Sequence, residues 1–431
     1  MKQITTLILF ILSATNIVLA QEMYDFSARN IEPSRSRTIP YHSLSAAQKG
    51  VAGESRFVAQ VEEPTVSKGE MTSSYTTHFA LPVSWLNRQV ILRVGYASTA
   101  YTVRVNGREV GFVPTGAMGA EFNITKASRE GRNEISIVLD RTLPVNGIFA
   151  PKEMEVRGIE VFSQPTIRVR DVVVSTTLNA NGDAVAEFAL PVKCNALNRK
   201  SARLHYDLRL NDTTVVAEGY REISLDMRRE DTVRFACVVP ASMVWSAKSP
   251  TMLKLDVESR IDNRIAECLH REVGVRQAEL RKGKFYLNGE EINLNLAEYD
   301  ALKSLDEVQK YGYNGVIVTL NQEKVAAIVS ECSKRGLYVV VRTPIDTTLL
   351  GDNIRRGGNP SNNPLWSENY LWCNNHTYHT VKGEPSVVGY AIAKGKTSGV
   401  NIYDTYVMLK TLCPNALVIY EGAKGEWATD K

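Results

Sequence analysis

Four carboxylates sit just past predicted strands, where acid–base chemistry would be expected: Glu298 and Asp300 after one strand, Asp346 after another, and Glu421 at the end of a third. Carboxyl groups do such work by giving or taking a proton within hydrogen-bond reach of the reacting atom. Loops at strand ends also carry acids that only cap helices or face water, and Asp300 ahead of Ala301 has the type and position of an N-cap. Glu298, Asp346 and Glu421 are candidate carboxylates without a surrounding motif. Trp366, Trp372, Trp427 and Tyr390, with Tyr370 and Tyr378, flank the same loops. Flat rings of this kind either stack on the apolar faces of sugars or pack a long loop onto a sheet. His376 and His379 form an i,i+3 pair with Glu384 as the single nearby carboxylate, so no metal site is read. The Gly-rich 351–358 stretch is followed by no Gly-Lys-Ser/Thr, which excludes a phosphate loop; no cofactor is expected.

The elements that would position these residues change character along the chain. Residues 21–55 are polar and patternless and predict a loose arm. From 56 to 165, short alternating or β-branched runs at 76–81, 90–94, 101–105, 109–112, 120–124 and 134–139 predict a β-sandwich, with Asn106-Gly107 as a hairpin turn. From 166 to 273, runs at 167–177, 184–194, 202–210, 215–225, 231–239 and 251–259 predict a second sandwich with immunoglobulin-like spacing. From 274 to 431, strands at 292–296, 314–319, 337–342, 387–392 and 416–421 alternate with helices at 301–310, 322–334, 368–380 and 401–411, which predicts a parallel sheet.

Composition bounds the rest. The 431 residues carry 51 basic and 47 acidic side chains, a net charge of +4 that gives no footprint for nucleic acid. The opening MKQITTLILFILSATNIVLA reads as a secretory leader cut after Ala20, and no later window is long enough for a membrane span. The expected location is therefore periplasmic or extracellular. Six cysteines lack metal or redox spacing, and Cys194 and Cys237 in apolar runs read as buried free thiols. Asn123, Asn211 and Asn375 head N-x-T triplets, which matter only in a glycosylating host.

Several stretches resemble one family. Ser74-Tyr-Thr-Thr-His-Phe-Ala-Leu-Pro, Val103-Arg-Val-Asn-Gly-Arg-Glu-Val-Gly and Gly131-Arg-Asn-Glu-Ile are similar to the sugar-binding domain of glycoside hydrolase family 2, which includes β-galactosidases, β-glucuronidases and β-mannosidases. Val244-Trp-Ser-Ala-Lys-Ser-Pro resembles the end of its immunoglobulin-like domain. Gly274-Val-Arg with Phe285-Tyr-Leu-Asn-Gly resembles the entry to its TIM barrel, and Gly312-Tyr-Asn-Gly-Val, Gly336-Leu-Tyr-Val-Val, Pro385-Ser-Val-Val-Gly-Tyr and Tyr420-Glu-Gly resemble barrel strands two to five. The resemblance implies a multidomain fold: a jelly-roll sugar-binding-like β-sandwich, an immunoglobulin-like β-sandwich, and an incomplete TIM-barrel-like α/β region of about five strands.

The same resemblance marks departures at the site. Where the family has Trp-Ser-x-Gly-Asn-Glu-Ser, this chain reads Tyr390-Ala-Ile-Ala-Lys-Gly-Lys, so Lys394 falls at the asparagine and Gly395 at the acid/base glutamate. The second-strand arginine and its nearby histidine become Ile317 and Leu320. The strand that carries the second catalytic carboxylate has no counterpart among these 431 residues. The expectation is an exported, non-catalytic relative with a carbohydrate-binding role or a protein-interaction role, including self-association through an open sheet edge. The alternative is an exo-acting β-glycosidase, β-galactosidase-like, which requires either that the chain be a fragment of a longer gene product or that Glu298, Asp346 or Glu421 take over.

Overall fold

The computed structural model describes residues 28–35, 38–141, 153–320, 325–348, 350, 355, 358–424 and 429–430, so the predicted leader lies outside the described residues. Alternation sets the first region. Thr72–Leu81 buries Ser73, Tyr75, Thr77, Phe79 and Leu81 in strict succession, and Gly131–Asp140 repeats the pattern beside it. These strands centre an antiparallel sheet ordered Thr65–Lys68, Thr72–Leu81, Gly131–Asp140, Ala100–Val105, Arg108–Val113. A second sheet, ordered Val58–Ala59, Val156–Gln164, Gln89–Ala97, Ala120–Asn123, shares its core through Phe79, Leu92, Tyr101, Phe122 and Ile137. Asn106 and Gly107 turn the predicted hairpin with φ of 51° and 76°.

The second region pairs Ala184–Cys194 with Ile167–Val169, Val173–Leu178 and Glu230–Val239, against a sheet ordered Val215–Leu225, Lys200–Arg209, Leu253–Ile261, Arg264–Val273. The predicted single strand 167–177 is broken into two, both pairing with Ala184–Cys194. Arg264–Val273 was not predicted. It follows a two-residue turn in which Asp262 and Asn263 have φ of 50° and 61°.

The expectation of a loose arm is corrected for its described part. Ile31 bridges Phe122, Tyr41 bridges Cys268, and Leu44–Lys49 forms a helix capped by the Ser43 side chain and closed by Gly50 at φ 68°. Glu32 lies 3.0 Å from Arg168 and 3.8 Å from Arg170, two arginines buried in the second region. One polar residue of the arm, Glu32, thus answers buried charge.

The third region is a parallel sheet whose spatial order follows the chain: β1 Leu296–Glu298, β2 Gly315–Thr319, β3 Tyr338–Arg342, β4 Val387–Ala391 and β5 Leu417–Ile419. The helices are α1 Asp306–Lys310, α2 Val325–Arg335, α3 Ser367–Val381 and α4 Val400–Leu412. Two predicted elements shift. Ile292 N–H still bonds the hairpin at Phe285, and Asn295 N–H bonds the Asn314 side chain, so pairing with β2 starts at Leu296 and not at 292. The helix predicted from 301 shrinks to α1, because the Lys303 N–H is taken by the Glu307 carboxylate at 2.9 Å. One face of the sheet packs Val316, Val339 and Val387 on Val329, Tyr370 and Ile402 from the helices. The other packs Tyr338, Val340 and Val388 on Trp245, Phe285 and Leu287.

The expected open sheet edge is covered at one point on its β5 side. Val418 donates to the Asp430 carboxylate and accepts the Asp430 N–H, both at 2.8 Å. The same carboxylate accepts the Tyr406 hydroxyl at 2.9 Å and Lys410 Nζ at 3.1 Å. At Val418 the edge is occupied by the chain itself.

Candidate site at the strand ends

In a parallel sheet every strand finishes on the same edge. Glu298 is the last residue of β1, Arg342 the last of β3, and Glu421 follows β5. Arg342 clamps Glu298 with two hydrogen bonds, Nη1 to Oε2 at 2.9 Å and Nη2 to Oε1 at 2.6 Å. Its Nη2 also lies 3.7 Å from Glu421 Oε1. Two of the three predicted carboxylates therefore converge on one guanidinium that the sequence reading missed. The available signal was a single charge closing the otherwise apolar strand Tyr338–Arg342. The arginine side chain is 8% exposed, Glu298 46% and Glu421 72%. Burial works against the Arg342 charge, but the Glu298 hydrogen bonds with the Glu298, Glu421 and Asp346 charges outweigh it and hold the guanidinium above its ordinary value.

The third carboxylate is occupied differently. Asp346 Oδ1 accepts the backbone N–H of Thr348 at 2.9 Å and the Thr348 hydroxyl at 2.5 Å, while Oδ2 stands 4.0 Å from Lys394 Nζ. Backbone bonds Thr347 N–H to Lys394 O and Lys394 N–H to Ile345 O lash the two loops together. Lys394 thus serves a loop-to-loop contact.

Gly395 is more than a missing side chain. A Cβ placed there would lie 2.6 Å from Thr347 Oγ1 and 2.7 Å from the Tyr420 hydroxyl. Tyr420 is 1% exposed and donates to Thr397 O at 2.7 Å, so its ring cannot swing aside freely. Any side chain at 395 would have to displace one of these two hydroxyl groups.

The aromatic candidates are corrected as well. Trp366 and Tyr390 are 7% and 4% exposed and pack in the helix-side core, with Tyr390 edge-on to Tyr378 at 5.6 Å. Their faces are used up by packing, which leaves none for a sugar. Trp372 is half-buried beside His376, and Trp427 lies outside the described residues. Ile317 packs toward the hairpin side of the sheet and Leu320 toward the helices, so neither position offers a polar group to the rim. His376 bonds Ser34 at 3.0 Å and is pushed down to about 4 by burial and the Arg93 charge. His379 lies 3.1 Å from Lys382 Nζ and is likewise pushed to about 4 by burial and that lysine. Among the described residues no cluster of three His, Cys, Asp or Glu could hold a metal. All six cysteines are free thiols, Cys194 buried and Cys237 partly so.

Comparison with known proteins agrees with the resemblance. A family profile described as "Glycosyl hydrolases family 2, sugar binding domain" matches residues 15–149. A β-galactosidase of Priestia megaterium is 24% identical over 390 residues, covering 83% of this chain and 37% of that protein. One from Psychromonas ingrahamii is 23% identical over 423 residues, covering 91% and 40%. The chain thus spans about two-fifths of the length of these curated relatives. Among solved structures, a Bacteroides uniformis β-glucuronidase superposes with a TM-score of 0.66 at 16% identity, covering 82% of this chain and 46% of the other. A putative β-galactosidase from Bacteroides fragilis gives 0.67 at 17%, covering 83% and 56%. At these identities the likeness is one of fold.

Proposed function

We propose that this glycoside hydrolase family 2-like chain is a carbohydrate-binding protein that does not cleave glycosides at its strand-end rim. The finer domain reading goes with the proposal: a jelly-roll sugar-binding-like region at 56–165, an immunoglobulin-like sandwich at 166–273 and a barrel-like α/β region from 274 onward. Glycan binding is supported by the match to a sugar-binding domain. The absence of hydrolysis rests on Gly395, where Thr347 Oγ1 and the Tyr420 hydroxyl fill the space that the general acid needs. No group there can protonate a leaving oxygen, and protonation assists glycosidic cleavage in both retaining and inverting enzymes of the common type. Export through the leader 1–20 to the periplasm or outside the cell is part of the same proposal, and N-terminal sequencing of the secreted protein should begin at Gln21. No described helix is long and apolar enough to cross a membrane.

The test pairs turnover with binding. A panel of chromogenic β-galactosides, β-glucuronides and β-mannosides should give no turnover above buffer, while the corresponding sugars or oligosaccharides should retard the protein in affinity electrophoresis. Gly395→Glu should restore no activity and should destabilise the fold by about 1–3 kcal/mol through overpacking. A second reading has one observation in its favour, the meeting of Glu298 and Glu421 on Arg342. If these carboxylates perform exo-glycosidase chemistry, turnover appears in the wild type and is lost in Glu298→Gln and Glu421→Gln.

A further inference from the structure

We propose that the opposite end of the parallel sheet, where its strands begin, is a receptor site for a small organic carboxylate held by Arg276. This goes beyond the rim and its glycan. A cavity of about 370 Å³ lies there, between the Val172–Thr176 segment of the second region and the start of β4, with Tyr378, Tyr390 and the 412–416 loop as further walls. That size suits a small ligand.

Arg276 is the anomaly in its wall. Gly274, two residues before it, lies against Pro385 with no room for a Cβ between them. Its Nη2 donates to the Val387 carbonyl at the first residue of β4. Its Nη1 is buried and has no hydrogen-bond partner among the described residues. Buried charges in folded proteins are ordinarily paired. The groups that act on this one are the phenols of Tyr390 and Tyr338, and burial pulls the guanidinium down to about 10. The other charges at the cavity are already engaged. Lys382 Nζ is bound to the buried Asp171 at 2.6 Å, and the Glu384 carboxylate accepts the Ser333 hydroxyl at 2.8 Å. One unanswered positive charge calls for a monoanion, and guanidinium matches the planar carboxylate. Val388, Phe285 and the Tyr378 ring suit an apolar or aromatic body behind it. Nη1 is shut off from solvent, so the ligand meets it after a rotation about Cδ–Nε, which also releases Nη2 from the Val387 carbonyl.

The test uses the full chain with benzoate, the neutral isostere benzamide, acetate and chloride, each at matched ionic strength, read by thermal shift and calorimetry. Benzoate should raise Tm saturably and benzamide should not. Arg276→Met should abolish the response, and Arg276→Lys should weaken it at least tenfold. Should Arg276→Met fail to fold, Asn415→Trp, placed on the exposed loop, fills the cavity without touching the arginine and should remove the benzoate response alone. A response equal for benzoate and benzamide, one reproduced by chloride alone, one retained by Arg276→Met or by Asn415→Trp, or none at all overturns the assignment.

Discussion

The two ends of the parallel sheet manage charge in opposite ways. At the rim, Arg342 is answered twice over by Glu298 and Glu421, Lys394 stands by Asp346, and Gly395 is hemmed in by Thr347 and Tyr420. At the base, Arg276 keeps a nitrogen with no partner beside a cavity. Strand-end rims are the usual seat of chemistry in βα folds, and strand-start ends usually serve stability. Here the rim has spent its charged groups on one another. Position in a fold therefore does not by itself carry a function; the chemistry of particular side chains does.

Breaking the base should have the largest effect. Trp245 is fully buried, donates from Nε1 to Ser333 O at 2.8 Å, and lies edge-on to Tyr338 at 6.5 Å. Trp245→Ala should cost about 3–5 kcal/mol in chemical denaturation, because a large cavity opens and the Ser333 carbonyl loses its donor. A loss below about 1 kcal/mol would mean that the base is not structural and would dissolve the contrast with the rim. Next comes the β5 edge. Asp430→Ala removes the acceptor for Val418 N–H and leaves Lys410 and Tyr406 without their carboxylate. With Lys410 still partly exposed, the expected loss is about 2 kcal/mol, below that for a fully buried pair. The bared edge should also make the variant self-associate in sedimentation velocity, while the wild type does not pair through β5.

What the sequence could reveal follows the same physical divide. Alternation is local, so Val215–Leu225 and Ala184–Cys194 were legible to the residue. Arg264–Val273 escaped because Arg264, Glu267, His270, Arg271 and Glu272 interrupt its apolar residues, although Asp262-Asn263 before it had the type that a primed turn wants. The arm's docking was hidden because it rests on Glu32 meeting Arg168 and Arg170, which lie far along the chain. At the rim, the carboxylates could be found as residues following strands. Their shared partner Arg342 could not, since only the register of β1, β3 and β5 brings the three together. Likewise the glycine at 395 could be read in the sequence, but its crowding is contributed by Thr347 and Tyr420 from two other loops.

A pH experiment sharpens the comparison at the base. Burial raises Glu384, with Ser333 hydrogen bonding and the Arg271 and Lys334 charges opposing and Glu272 adding to the rise. A carboxyl raised on folding binds its proton more tightly in the native state than in the unfolded one. Its contribution is therefore complete below its unfolded value near 4.5 and is lost as pH rises through its elevated native value. Between pH 4 and 8 the wild type should lose stability on this account, and Glu384→Gln should flatten that decline. Equal slopes for the two proteins would remove Glu384 from the account of the base.

The smallest effect is expected from the rim itself. Glu298 makes both hydrogen bonds of its clamp to Arg342, yet it is nearly half exposed, so water competes for the pair and salt screens it. Glu298→Gln should cost less than about 1 kcal/mol, and the loss should shrink further at high salt. Glu421 remains beside the guanidinium to take up its charge. Removing both carboxylates should cost more than the sum of the single changes, since Arg342 is then left buried with no acid in contact and only Asp346 among the charges acting on it. Strict additivity in that double-mutant cycle would mean that Glu298 and Glu421 act on Arg342 independently, and the rim would then be a row of separate surface charges.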